Sequence, residues 1–366
     1  MLWIPYLLLV LLGLFCKNSK AYDFFVILFM GSLAWLNTSV GDYTAVYLPI
    51  YLNPFGAHDI DPGWVWLCYF GSEAGLTYNG FSCIVVMASM VLYREFGRRI
   101  GSNTSFMLAL FLIYPGLMSL VQLRQFVACS VACFAFAFFW TSEKKTRYIP
   151  FLVLILLAFS LHRSSVVLLF ALLPEMLAIA GRRGRILAAL VLVIIGFGLL
   201  SNWKELSIQL FGENRTSVYL GATGGANAVS ALGGMRNALM LVLAALLPYI
   251  CCRHIAKMRN SLDRGVLDWR IGRAPLGIIF LNVALLVLIP VVFLTNDFMR
   301  FERHGLTMAL GLFAMMPSLE KRSPFLSCKA LYVAVCLVFA IFYVANSFDS
   351  VYTALLNPNG LPPFFI

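Results

Sequence analysis

Long apolar runs constrain this chain more than any other feature. Runs of about 17–25 mostly apolar residues are long enough to cross a bilayer as helices. With 61% hydrophobic and only 12% charged residues, the chain also differs sharply from soluble domains. Those domains are about 45–50% apolar and 25% charged. The sequence therefore predicts an all-α, polytopic integral membrane protein with about twelve transmembrane helices. The predicted segments lie near residues 2–16, 21–36, 78–94, 104–120, 122–140, 148–161, 164–180, 186–201, 236–252, 276–294, 304–317 and 330–346.

The basic residues indicate how these segments are oriented. Turns between alternate pairs of segments hold 20 of the 27 Lys and Arg residues. Cytoplasmic loops are enriched in Lys and Arg, so we expect these turns inside the cell and both termini outside. The net charge of +11 then reflects topology, and no nucleic acid is expected as a partner. The turns are 17–20, 94–99, 144–147, 182–185, 253–273 and 321–329.

The rest of the composition points to one membrane-embedded unit. The apolar N-terminus lacks the basic flank and cleavage site of a signal peptide, so we expect a retained first span. The nine cysteines lie mostly in apolar runs, without a CxxC pair, which favours buried thiols over a metal site. Neither a metal nor a cofactor is expected. We predict a single integral membrane domain over 1–366, with outward loops at 37–77, 201–235 and 295–304.

The outward loop 37–77 is rich in aromatic residues. Tyr43, Tyr47 and Tyr51 are spaced to lie on one face of a short amphipathic helix. Such rings either anchor the chain at the headgroup level or stack against sugar rings. Asp42, between a glycine and an aromatic residue, is either a turn-forming residue or a functional carboxylate.

The outward loop 201–235 contains a glycine-rich stretch at 221–234. No Gly-Lys-Ser/Thr follows it and no strand precedes it, so a phosphate-binding loop is not supported. The alternatives are a mobile loop that closes over a site and a plain flexible connector.

Ionisable residues recur at the outward ends of the predicted spans, where such groups are costly and raise a functional-site hypothesis. Most are positive, which suggests an anionic ligand such as a lipid diphosphate. Arg124 opens a long apolar helix, and its guanidinium could either snorkel to the headgroups or hold a phosphate bidentately. His162 stands beside Arg163 and two serines at a predicted helix break, and it is either a satisfied core residue or a functional one.

The loop 295–304 is the most densely charged outward segment. Arg300 and Arg303 share one face if the segment is helical. The alternative is a surface ion pair of Glu302 with either arginine. Arg236 is a further outward-facing cation, at the start of the span 236–252.

Four motifs occur in a recognisable order along residues 20–180. They are Gly41-Asp42-Tyr43 with Tyr47, Asp61-Pro62-Gly63-Trp64, Leu123-Arg124-Gln125, and Leu161-His162 with Ser164. In this order the chain resembles the EpsG-like family of bacterial membrane proteins, grouped with the O-antigen and capsule repeat-unit polymerases called Wzy. That family often has Glu-Pro-Gly where this chain has Asp61-Pro62-Gly63. The C-terminal half matches only in topology and in having an outward arginine loop.

The resemblance implies a metal-independent glycosyltransferase of the GT-C type, without a cofactor. It would transfer a glycan from undecaprenyl diphosphate to the sugar of another lipid-linked repeat unit, at the outer face of the bacterial cytoplasmic (inner) membrane. The expected partners are donor, acceptor, the lipid bilayer and a chain-length regulator. The expected roles are proton acceptance by His162 or Asp42, diphosphate binding by Arg124, Arg300, Arg303 and Arg236, and sugar contact by Tyr43, Tyr47 and Gln125.

Other functions would also use a basic site among many spans. A flippase or transporter of lipid-linked oligosaccharide would carry charges in the middle of its spans. A membrane O-acyltransferase would use a His/Arg pair but take its donor from the cytoplasmic side. A structural partner of a secretion machinery would tolerate the loss of His162.

Overall fold

The computed structural model describes residues 2–38, 40, 43–56, 60–142, 145–175, 205, 231–261, 269–293, 299–319 and 325–357. All regular structure in these ranges is helical, which confirms the predicted all-α class. The chain forms two compact units, one of Met1–Arg163 with Phe313–Ile366 and one of Ser164–Leu312. The single membrane domain and the GT-C fold stay predictions.

Several helices are suited to a bilayer. In the described ranges, four are long and apolar enough to cross one, namely Tyr78–Arg99, Thr104–Val121, Leu123–Thr141 and Leu232–Arg253. Shorter apolar helices are Trp3–Phe15, Tyr148–Leu161, Arg273–Leu288 and Lys329–Phe342. These helices fit the predicted membrane protein, whereas the total of about twelve spans stays a prediction.

In the described residues of its N-terminal part, the first unit contains nine α-helices. They are α1 (Trp3–Phe15), α2 (Lys20–Leu36), α3 (Leu48–Leu52), α4 (Pro62–Glu73), α5 (Tyr78–Arg99), α6 (Thr104–Phe111), α7 (Leu117–Val121), α8 (Leu123–Thr141) and α9 (Tyr148–Leu161). A π-helical turn, Tyr43–Tyr47, precedes α3. Helix α5 packs against α2 and α8, and α8 packs against α9. The helix Phe325–Ser347 also belongs to this unit.

Three predicted spans depart from regular α-helix in the described residues, and one of them, 276–294, does so through the 3-10 segment Leu285–Leu288. The predicted span 104–120 is interrupted, because the backbone leaves the helix at Tyr114 (φ −166°, ψ 134°) and Pro115. Proline has no N–H to donate to the preceding turn. The predicted span 164–180 begins as a 3-10 helix, Arg163–Leu172, and the part beyond residue 175 lies outside the described residues.

Basic turns that the sequence predicts on one side of the membrane meet at one end of the first unit. Arg94 Nε lies 2.7 Å from Asp23 Oδ2, and the Thr104 hydroxyl donates to the same oxygen at 2.7 Å. Lys329 donates to the Leu14 carbonyl at 3.2 Å. These contacts bring the turns 17–20, 94–99 and 321–329 together at one end of the unit. Their assignment to the cytoplasm stays a prediction.

In the second unit, the described helices are Ala231–Ser261, Trp269–Ala284, Ile289–Val292 and the first part of Met299–Leu319. The first two pack against each other. Asn282 donates its side-chain amide to the Gly305 carbonyl at 3.2 Å, and Asn237 donates to the Val292 carbonyl at 3.3 Å. These buried amides connect neighbouring helices, because a buried polar group needs a hydrogen-bond partner.

Candidate anion-binding site

The start of α4 places one carboxylate in the interior of the first unit. Asp61 occupies the N-cap position of α4, and Pro62 follows at the first helical position, where its missing N–H carries no penalty. A Cβ on Gly63 would lie only 2.8 Å from the backbone carbonyl carbon of Ser160. Glycine at position 63 therefore lets α4 approach the end of α9 closely, and Asp61 reaches the residues that follow α9.

Asp61 contacts two arginines from different parts of the unit. Arg124, in the first turn of α8, donates from Nη1 to Asp61 Oδ2 at 3.1 Å. Arg163 Nε lies 3.2 Å from Asp61 Oδ1, and the Arg163 backbone N–H donates to the same oxygen at 3.3 Å. Side-chain exposure is 6% for Arg124, 8% for Asp61 and 39% for Arg163. One carboxylate is thus held between a buried and a partly exposed guanidinium.

Among the residues that the structure describes, the cluster has more positive than negative charge. Two guanidinium groups face one carboxylate, and Arg124 Nε has no hydrogen-bond partner among the described residues. Burying a charge without full compensation is unfavourable. Guanidinium groups match the geometry of phosphate oxygens and can hold them bidentately. The arrangement therefore suits an anion that engages both arginines.

Two further residues of the predicted site lie next to these arginines in the chain. His162 directly follows α9 in extended conformation (φ −160°, ψ 117°) and is buried, as is Gln125 beside Arg124. The predicted helix break at His162 is confirmed. The structure places His162 and Gln125 in the same unit as the Asp61 cluster. Their catalytic and sugar-binding roles stay predictions.

The predicted sugar-contacting tyrosines are buried in an aromatic cluster between α2 and α5. The Tyr43 hydroxyl donates to Asn79 Oδ1 at 2.7 Å, and burial raises the pKa of this hydroxyl although that bond acts in the opposite direction. The Tyr47 ring stacks on Tyr78 and lies 6.0 Å from the Trp64 ring, between centroids. Asp42 lies outside the described residues.

The amide of Asn79 fixes this aromatic segment to α2. Its Nδ2 donates to the carbonyls of Trp35 and Asn37, both at 2.7 Å. Asn79 therefore satisfies carbonyl groups at the end of α2, where helix carbonyls lack partners in the helix itself. The same side chain holds the Tyr43 hydroxyl.

The other predicted cations lie in the second unit. Arg300 and Arg303 belong to the helix Met299–Leu319, which confirms the helical arrangement under which they share a face. Arg303 is 8% exposed. Arg236 donates to Asn237 Oδ1 at 3.4 Å, a long contact. The loop at 201–235 that would precede Arg236 is largely outside the described residues.

Glu302 and His304 are more deeply buried than the sequence suggested. Glu302 is 0% exposed, so it is not part of a surface ion pair, and neither of its carboxylate oxygens has a hydrogen-bond partner among the described residues. His304 Nε2 lies 2.8 Å from Ser164 Oγ within the second unit. Sequence reasoning predicted neither the burial of Glu302 nor the contact of His304 with Ser164, and the only signal was the position of Glu302 and His304 in a charged segment.

The described residues do not meet the requirements of a metal site. They contain no group of three or more His, Cys, Asp and Glu side chains that could hold an ion. The cations of the Asp61 cluster that the structure describes are the guanidinium groups of Arg124 and Arg163.

The fold and site together define a helical membrane protein with a buried, positively charged cluster. The sequence profile of the EpsG family matches residues 20–357, and the chain belongs to this family of Wzy-like polysaccharide polymerase-type membrane proteins. It is accordingly a membrane protein of polysaccharide biosynthesis. No curated protein and no solved structure matches the chain significantly.

Proposed function

We propose that the chain is a polysaccharide polymerase that joins lipid-linked oligosaccharide repeat units by glycosyl transfer. The donor is a glycan on undecaprenyl diphosphate, and the acceptor is the terminal sugar of another lipid-linked unit. Transfer takes place at the outer face of the cytoplasmic membrane. The observation that carries this proposal is the Asp61–Arg124–Arg163 cluster, because its excess positive charge suits a diphosphate.

The reaction needs charge stabilisation more than a strong nucleophile. The acceptor hydroxyl oxygen forms a bond to the anomeric carbon of the donor, while the bond from that carbon to the diphosphate oxygen breaks. Negative charge develops on the departing diphosphate, where fixed cations in a water-poor site are most effective. Arg124 and Arg163 supply this charge in the first unit, and Arg236, Arg300 and Arg303 are further candidates.

The proton of the acceptor hydroxyl goes to a general base. His162 is the first candidate, because it is buried and directly precedes Arg163 in the chain. Asp42 is the second. A positioned general base contributes about 10²–10⁴-fold to a rate.

A flippase is the main rival, and the position of the cluster weighs against it. Arg124 lies in the first turn of α8 and Asp61 at the start of α4, so these charges lie at helix ends. A transporter would place its binding groups near the bilayer midplane.

The test compares two arginines, each paired with a buried aspartate. A strain that lacks the gene is complemented with wild type, Arg124→Ala or Arg94→Ala, and membrane abundance is checked by immunoblot. Arg94 is the matched control, since it pairs with Asp23 at the other end of the unit. Surface glycan and extracted lipid-linked units are then separated on gels.

We expect Arg124→Ala to leave single repeat units on the surface while Arg94→Ala keeps long polymer. Long polymer in the Arg124 variant, at normal abundance, would contradict the proposal. Loss of all surface glycan, with lipid-linked units retained inside the cell, would indicate a flippase instead.

A further inference from the structure

We propose that Asp61 determines the specificity of the arginine cluster by excluding anions that carry a single negative charge. In a bilayer, the competing anions are the phosphodiester headgroups of ordinary phospholipids. The proposal rests on the proposed function, because it takes a lipid diphosphate as the ligand. Asp61 would act as a built-in counter-ion that only a more highly charged anion displaces.

The contacts of Asp61 explain why an incoming anion has to compete with it. Its two carboxylate oxygens are divided between the arginines, with Oδ2 on Arg124 and Oδ1 on Arg163. The backbone N–H of Arg163 also donates to Oδ1. An anion that engages both guanidinium groups must therefore replace these contacts or share them.

The carboxylate has a strong advantage over a free anion of equal charge. It is tethered to the protein, so it acts at a high effective concentration, and binding it costs no translational entropy. A phosphodiester headgroup also carries one negative charge and offers no electrostatic gain over Asp61. A glycosyl diphosphate lipid carries a charge on each of its two phosphoryl groups, so each guanidinium can pair with one of them.

The unequal exposure of the two arginines suits a stepwise replacement of the Asp61 carboxylate by an incoming anion. The Arg163 side chain is 39% exposed, whereas Arg124 is only 6% exposed. An anion can first contact Arg163 and then reach Arg124, whose Nε has no hydrogen-bond partner among the described residues. The buried arginine then distinguishes an anion that displaces Asp61 from one that binds only at the edge.

The experiment uses the full-length protein in neutral detergent, with inorganic pyrophosphate as the probe. Wild type, Asp61→Asn and Asp23→Asn are titrated with pyrophosphate, with and without the anionic lipid phosphatidylglycerol in the micelle. Asp23→Asn is the matched control, because Asp23 is 1% exposed and pairs with Arg94 at 2.7 Å. Binding is measured by calorimetry and by the rise in unfolding temperature.

We expect Asp61→Asn to bind pyrophosphate about tenfold more tightly, because close charge pairs couple strongly and the competing charge is gone. Phosphatidylglycerol should then compete with pyrophosphate in this variant and not in wild type. Asp23→Asn should match wild type in both respects. Equal or weaker pyrophosphate binding by Asp61→Asn, or equal lipid competition in wild type, would overturn the proposal.

Two further variants keep the test decisive if Asp61→Asn is unstable. Asp61→Glu keeps the charge and should still exclude phosphatidylglycerol. Arg163→Gln leaves the Asp61–Arg124 ion pair with balanced charges, so this variant should remain folded and lose pyrophosphate binding. Retained pyrophosphate binding would count against the proposal. If Arg124→Ala abolishes polymer but the Asp61 variants do not change lipid competition, the polymerase proposal survives and this inference fails.

Discussion

The hydroxyl of Ser164 lies 2.8 Å from Nε2 of His304, and both side chains are almost fully buried. The contact joins the 3-10 segment Arg163–Leu172 to the helix Met299–Leu319 over 140 residues of sequence. A buried polar pair of this kind is favourable only while both partners are present.

This pair makes the first prediction. Ser164→Ala or His304→Ala should each lower the free energy of unfolding by about 1–3 kcal/mol, because the remaining partner is left buried without its bond. Unfolding in detergent, followed by circular dichroism, measures the change. The double variant should lose less than the sum of the two single changes, since either single substitution already breaks the contact. Strict additivity would show that the contact contributes nothing. Ser160→Ala, at a half-buried serine that bonds locally to the Leu157 carbonyl, is the control.

The second prediction concerns Asn79, which accepts a hydrogen bond from the Tyr43 hydroxyl and donates to two carbonyls at the end of α2, those of Trp35 and Asn37. Asn79→Ala should destabilise the first unit by about 1–3 kcal/mol, because the Tyr43 hydroxyl and two carbonyls lose a partner. The variant should also unfold locally first, so that hydrogen exchange accelerates over Tyr43–Tyr47 before the rest of the unit. Ser32→Ala serves as the control, since this exposed hydroxyl bonds only to the Leu28 carbonyl one turn away. Unchanged exchange in the Asn79 variant would mean that aromatic packing alone holds the segment.

Much of the helical framework could be predicted from the sequence, because apolar runs and basic turns are local signals. The predicted segment 2–16 corresponds to Trp3–Phe15, and 148–161 corresponds to Tyr148–Leu161. The sequence indicated Arg124 as a cation at the start of a long apolar helix. Its partner Asp61 could not be predicted, since it is 63 residues away and no spacing rule connects them.

Burial was harder to predict than position along the helices. A surface ion pair of Glu302 was one of two alternatives for the charged segment, and it is wrong because Glu302 is fully buried. Tyr43 and Tyr47 were expected at an interface or a sugar, and their rings lie within an aromatic cluster. Charge and aromaticity indicate what a residue can bind, but burial depends on which helices the fold brings together.

The third prediction tests the close approach of α4 to α9. Gly63→Ala should push the two helices apart, because the new Cβ would meet the Ser160 backbone, which cannot rotate away. The ion pair of Asp61 and Arg163 should weaken, and polymer length in complemented cells should fall. Gly31→Ala is the control, since its Cβ would meet the side chain of Met87, which can adopt another rotamer. Full-length polymer from the Gly63 variant would show that this approach is not needed for activity.

The fourth prediction concerns the two faces of α4. Trp64 is fully buried among other rings, whereas Trp66 is 51% exposed and Phe70 is 61% exposed. At 12 residues, α4 is about 18 Å long, too short to cross a hydrocarbon core of about 30 Å. Tryptophan and tyrosine are enriched where membrane and water meet, so we expect the exposed face of α4 to lie at the headgroup level.

Fluorescence quenching checks this placement. The protein is reconstituted with lipids that carry bromine at defined depths, and the emission of wild type is compared with that of Trp66→Phe and Trp64→Phe. The emission of each tryptophan is obtained by subtracting the spectrum of its variant from that of wild type. The emission of Trp66 should be quenched most strongly by the shallowest bromines, and the emission of Trp64 should change little at any depth. Quenching of Trp66 by aqueous acrylamide and not by brominated lipid would place α4 in water. Protection of Trp66 from both quenchers would instead mean that protein covers this face.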